Sequence, residues 1–179
     1  MPLFLQRPAA GEYLPYYEKY IALVPDGDII EMLARQADET IAILRNQPPE
    51  IADHRYAEGK WSVKEVVGHI CDAERIFSYR ILRIARADQT PMAGFDENAY
   101  VPAGNFAART LESLLAEFAA VRQATIALIA SLPDEAWART GIANDNVISA
   151  RALAYITAGH ELHHRELLLT RYLSTAPVA

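Results

Sequence analysis

Near the end of the chain stands the run His160-Glu161-Leu162-His163-His164. On a helix, His160 and His164 lie one turn apart on one face, where two imidazoles can share a divalent metal ion. The same run reads H-E-x-x-H, the zinc-hydrolase pattern in which the glutamate, here Glu161, is the general base. Enzymes with that pattern usually take a third ligand from well downstream. Only fifteen residues follow His164, and Glu166 points about 240° away from His160 around the helix. They also lay a peptide along a strand edge, and the sequence offers no clear strand. A third ligand from elsewhere in the chain fits better.

Helix geometry says where these side chains point. At about 100° per residue, with His160 as zero, Leu153 falls at about +20°, His164 at about +40°, Leu167 at about −20° and Ile156 at about −40°. His160 thus sits in the middle of an apolar face. His163, at about −60°, lies at the margin of that face and reads as a helix-edge histidine. The third imidazole is His69, about 70° from the centre of the stripe formed by Val66, Ile70, Ala73 and Phe77. His54 falls in the connection between Pro49 and Trp61. The expected site is therefore His69, His160 and His164. Three protein ligands leave one coordination position open for water or substrate, as in catalytic sites.

Four helices must position these residues. The first opens at Asp28, with Glu31 in the capping-box position, and carries Ile29, Leu33, Ala37, Ile41 and Leu44 before Pro48 and Pro49. The second opens at Ser62, with Glu65 three residues on, and runs to about Ala87 on the stripe Val63, Val66, Val67, Ile70, Ala73, Phe77, Ile81 and Ile84. The third opens at Thr110 and ends before Pro133. The fourth runs from near Ser149 to about Leu173. A long loop is expected over Asp88–Arg109 and a second around Trp137, Gly141 and Asn144–Asn146. No repeat, low-complexity segment or confident strand is seen. The expected fold is all-α, a four-helix bundle with long crossover loops and an N-terminal strap over residues 1–27. In that strap Tyr13, Tyr16, Tyr17 and Tyr20 are expected to pack rather than to bind.

Composition narrows the function classes. The 179 residues suit a single domain over 1–179, and a 51% hydrophobic content supplies its core. A net charge of −6 and the lack of a basic stripe argue against nucleic acid. The one cysteine, Cys71, rules out an internal disulfide and fits a reducing, cytoplasmic setting. The N-terminus lacks the pattern of a signal peptide, and no stretch is expected to cross a membrane.

Taken together, Trp61 to Arg75 (WSVKEVVGHICDAER), His160 to Leu167 (HELHHREL), the strap from Glu12-Tyr13 through Ile21 to Asp28, and Phe95 to Tyr100 (FDENAY) resemble the DinB-like superfamily, also called the DinB/YfiT-like metalloenzymes. The resemblance covers nearly the whole chain. The order and spacing of the three histidines are its most specific part. It implies a four-helix bundle holding nickel, zinc or iron through His69, His160 and His164. It also implies a homodimer and, from several relatives, metal-assisted transfer of a low-molecular-weight thiol to a small electrophile.

Three neutral imidazoles leave a divalent charge uncompensated, so the open position favours hydroxide, thiolate or carboxylate. Thiol transfer is the first expectation. Hydrolysis with Glu161 as base is the second, and a non-catalytic metal-binding bundle the third. Cys71, about 200° from His69, is expected to pack in the core. Asp72 could orient His69. Asp96, Asn98 and Tyr100 could line the pocket mouth. Trp61 reads as a hydrophobic staple, and Arg75, Arg80, Arg83 and Arg86 as a solvated face.

Overall fold

The computed structural model describes Pro2, Leu3 and residues 6–175; of the expected strap, residues 1, 4 and 5 lie outside it, as do 176–179 at the other end. After a 3-10 turn, α1 (Glu18–Ile21) is a single helical turn. Then come α2 (Ile29–Arg45), α3 (Val63–Ala85), α4 (Glu97–Ala103), α5 (Leu111–Ala130), α6 (Asp134–Trp137), the strands β1 (Thr140–Ala143) and β2 (Asn146–Ser149), and α7 (Ala150–Leu167). The chain beyond α7 continues as a π-helical turn over Leu168–Tyr172.

The four long helices begin where the capping residues stand. Asp28 Oδ1 accepts from the backbone of Ile30 at 2.8 Å, Thr110 Oγ1 from Ser113 at 3.1 Å and Ser149 Oγ from Ala152 at 2.9 Å. At α3 the capping box is complete, because Glu65 Oε2 also accepts from the Ser62 backbone at 2.6 Å. These bonds satisfy amides that the first helical turn leaves without partners. Around the bundle, α3 packs on α5 and α7, and α2 packs on the same two.

Three features depart from expectation. The stretch 88–109 is not a loop throughout, since Asp96 Oδ1 caps α4 through the Asn98 amide at 2.9 Å. The second expected loop holds a two-stranded antiparallel hairpin pairing Thr140 with Ser149 and Ala143 with Asn146. Its turn, Asn144-Asp145, has φ of 50° and 62°. Positive φ at both central residues is the type I′ geometry that matches strand twist, and four-residue strands are too short to show a clear alternation. Finally, α5 is by length and composition apolar enough to cross a membrane, contrary to the sequence reading. Here it buries Leu114, Leu115, Phe118, Val121 and Arg122 as a bundle helix.

The core falls into two apolar clusters, and polar residues mark the changeover on every long helix. On α2 the change comes between Leu33 and Ala37, on α3 between Cys71 and Ala73, on α5 between Phe118 and Ile129, and after Ala158 on α7. Near those positions lie buried Gln36 and Thr40, His69 and Glu74, Arg122 and Thr125, and His160, Glu161 and His164. One level of the bundle is therefore a polar layer, and the expected site sits in it.

Candidate metal centre

His69 comes from α3, and His160 and His164 from α7. All three are buried. His69 Nε2 lies 3.0 Å from His160 Nε2, and His164 Nε2 lies 3.2 Å from the same atom. One ligand atom from each residue falls within 4.8 Å of the others. Two nitrogens bound to one ion at about 2.1 Å stand roughly 3.0–3.4 Å apart at ordinary bond angles, so the two close pairs fit one divalent ion.

The chemistry of the donor set agrees. Burial pushes the His69 imidazole down to about 4 and those of His160 and His164 well below the usual range; for His160 and His164 the facing histidines push in the same direction. All three shifts favour the neutral imidazole, which keeps one nitrogen free to bind a metal, and the ring nitrogens converge. A shared cation satisfies that arrangement far better than hydrogen bonds alone, since each imidazole has one N–H to give.

Two glycines let other groups close in beside the ligands. A Cβ on Gly159 would stand 2.1 Å from Tyr20 O, so the backbone of α1 lies directly on α7. The Tyr20 ring then packs edge-on against His160, with centroids 5.5 Å apart. A Cβ on Gly68 would lie 2.4 Å from the Phe106 ring. Glu12 holds the strap in place, accepting from Ser149 Oγ at 2.7 Å and from Arg151 Nε at 3.2 Å. Those partners hold its carboxyl below the usual range although burial opposes them.

The triad faces a cavity of about 440 Å³. Its walls include Tyr16, Tyr17 and Tyr20 of the strap, so these tyrosines line the site as well as pack. Trp61 also does more than staple the α3 start, since its ring lies 4.8 Å from His69. His163 lines the cavity and packs against Tyr20, with centroids 5.4 Å apart, but lies outside the triad.

Glu161 does not face the cavity. It accepts from Thr40 Oγ1 at 2.7 Å, and its Oε2 lies 2.8 Å from Arg122 Nη2, out of line with the N–H bonds that guanidinium directs at Glu74. Arg122 donates to both Glu74 oxygens at 2.9 Å and to Leu33 O at 2.6 Å. Burial raises the Glu161 carboxyl, and Arg122 opposes it. Its position one residue past His160 turns it toward α2 and α5, so the expected catalytic base is a core residue.

Other expected positions divide similarly. Cys71 is buried, and burial pushes its thiol up to about 12. Asp72 lies 3.7 Å from Arg75 and has no bond to His69. Asp96 caps α4, Asn98 and Tyr100 are exposed and do not line that cavity, and the residues of this segment on its wall are Phe95 and Glu97. The charge of Glu97 opposes the downward shift of His69. Arg80 is buried in the cavity wall, not solvated. Both were legible in principle: Glu97 at the start of a capped turn, Arg80 eleven residues after His69.

A sequence model of the DinB superfamily matches residues 32–168. The chain belongs to the DinB superfamily. That match contains all three histidines. A solved structure with a similar fold is YfiT from Bacillus subtilis, described as a probable metal-dependent hydrolase with an unusual four-helix bundle topology. It is 19% identical, with a TM-score of 0.69 over 96% of this chain and 95% of YfiT. No functionally curated protein matches this chain. As a DinB-superfamily member, the chain combines a four-helix bundle with a histidine cluster able to hold a divalent metal.

Proposed function

We propose that this DinB-superfamily protein is a divalent-metal-dependent hydrolase of a small molecule. The observation that carries the proposal is the convergence of three buried, neutral imidazoles on the wall of one cavity. The description of YfiT as a probable metal-dependent hydrolase supports the same reaction class. When bound, the ion supplies Lewis acidity toward a scissile carbonyl and lowers the pKa of water at its open position to about 7.

The residues around it have separate tasks. His69, His160 and His164 hold the ion without neutralising it. Glu97, the carboxylate on the cavity wall, takes the proton of the attacking water and returns it to the leaving group. Tyr20, Phe77, Trp61 and Phe95 exclude bulk water and give the apolar part of the substrate a surface. Glu161 keeps Arg122 and Thr40 in register instead of acting as base. The thiol transfer implied by family resemblance draws no support from these features.

The test begins with elemental analysis of untagged protein beside a His160→Ala/His164→Ala variant, followed by assays of zinc-, nickel- and iron-loaded protein on small esters and amides. Near-stoichiometric metal, lost in the variant, is expected together with hydrolysis. Glu97→Gln should lower kcat by about 10²–10⁴, and Glu161→Gln should leave kcat of the folded protein within a few-fold. Failure to bind any of these metals, or thiol-dependent turnover without hydrolysis, would overturn the proposal. Full activity in Glu97→Gln would remove Glu97 from its role.

A further inference from the structure

Arg80 lies eleven residues after His69 on α3. Eleven residues make about three turns, so the two side chains leave one face of the helix, roughly 16 Å apart along its axis. Helical side chains tilt toward the N-terminus, which turns the long arginine back toward His69. Ala73 and Phe77 lie on the face between them, and all four residues line the same cavity.

The guanidinium has an unusual environment. Of the buried arginines among the described residues, Arg122 pairs with Glu74 and Arg151 with Glu12, whereas no carboxylate pairs with Arg80. Its hydrogen bond is from Nη2 to Ala93 O at 2.8 Å. Arg80 is only 4% exposed, so water does little to replace the missing acceptors. A guanidinium offers five N–H donors, and burying a charge without a counter-ion is costly. Burial accordingly pushes Arg80 below its usual pKa. Glu97, on the same wall, does not reach it.

We infer that Arg80 anchors the carboxylate of a small substrate whose scissile carbonyl lies at the histidine cluster. The substrate class is a carboxylate-bearing ester or amide, short enough for a cavity of about 440 Å³, with its middle between Phe77 and the aromatic rings of the strap. This deepens the hydrolase reading and rests on it for the position of the carbonyl. Charge also favours an anion: a divalent ion, Arg80 and an ionised Glu97 sum to +2 with neutral imidazoles, and a ligand carboxylate lowers that excess. A planar carboxylate also matches a guanidinium edge with two parallel hydrogen bonds.

The experiment uses the zinc-loaded full chain and calorimetric titration with monohydroxamates of straight-chain dicarboxylic acids, succinic to suberic, each beside its methyl ester. The hydroxamate end addresses the zinc, and the other end presents or lacks the charge. At least one acid is expected to bind about tenfold or more tightly than its ester. Arg80→Gln should bring that ratio close to one without changing ester affinity or zinc content, and Arg80→Lys should restore part of it. An unchanged acid-to-ester ratio in Arg80→Gln, or no preference for any acid, overturns the anchor while hydroxamate binding leaves the hydrolase reading standing. If none of zinc, nickel and iron is taken up, the hydrolase reading fails instead. Benzoate against benzamide, on parent and both variants, then tests the anchor by the same loss of preference.

Discussion

Acidification from pH 7.5 to pH 5.5 should destabilise the metal-free protein far more than its carboxylates alone would. His69, held at about 4, and His160 and His164, held well below the ordinary value, all have folded pKa values depressed by burial. An exposed histidine in the unfolded chain titrates at about 6.5. The fold therefore favours the neutral form. Its stability is fully present above about pH 6.5 and is lost as the unfolded chain takes up protons the fold refuses. One pH unit below 6.5, each such histidine costs about 1.4 kcal/mol, so three cost roughly 4 kcal/mol between pH 7.5 and 5.5. That is a large share of the 5–15 kcal/mol typical of a domain. The half-buried His163 shifts in the same direction and adds a smaller amount. Glu12, Glu65 and Glu117, held low, act below their ordinary range near 4.5 and do not enter this window. The assay is urea unfolding of chelator-treated protein at several pH values, followed by circular dichroism. The variant His69→Gln/His160→Gln/His164→Gln should lose most of the dependence. A change below about 1 kcal/mol in the parent would refute the inward-facing neutral triad.

Two other substitutions test the surroundings of the site. Arg122→Met leaves Glu74 and Glu161 buried without their cation, so urea unfolding should show a loss of about 3–5 kcal/mol; burial already raises the Glu161 carboxyl against the pull of Arg122, so the loss should be smaller at pH 5 than at pH 8. Gly159→Ala puts a methyl group 2.1 Å from Tyr20 O, so thermal unfolding should report a cost of about 1–3 kcal/mol. A melting temperature equal to the parent's would show that α1 does not rest on that glycine.

The fold and the triad could be read from sequence because both follow helical periodicity. Ser62, Thr110 and Ser149 each stand before an apolar run and cap the helix that follows. His160 and His164 share a face by spacing alone, and the apolar residues at similar angles say that the face points inward. His69 was reachable as an inward-capable histidine on a second helix. The hairpin escaped because its strands are four residues long. α4 escaped because Pro102, Gly104 and Asn105 crowd the end of a one-to-two-turn helix.

What the tertiary structure decided is which neighbours the polar residues meet. In sequence, Glu161 lies beside two metal-site histidines and completes a hydrolase pattern. In space, Arg122 and Thr40 lie on the other side of α7 and claim it. Arg80 looks like one of four arginines distributed around α3, yet the 91–95 segment and the strap close over it. Glu97 becomes a cavity residue only because its short helix folds against α3. Local spacing sets the direction in which a side chain leaves its own helix. Whether that direction ends in solvent, in a counter-ion or at a shared metal is set by residues tens of positions away, through packing that no single helix encodes.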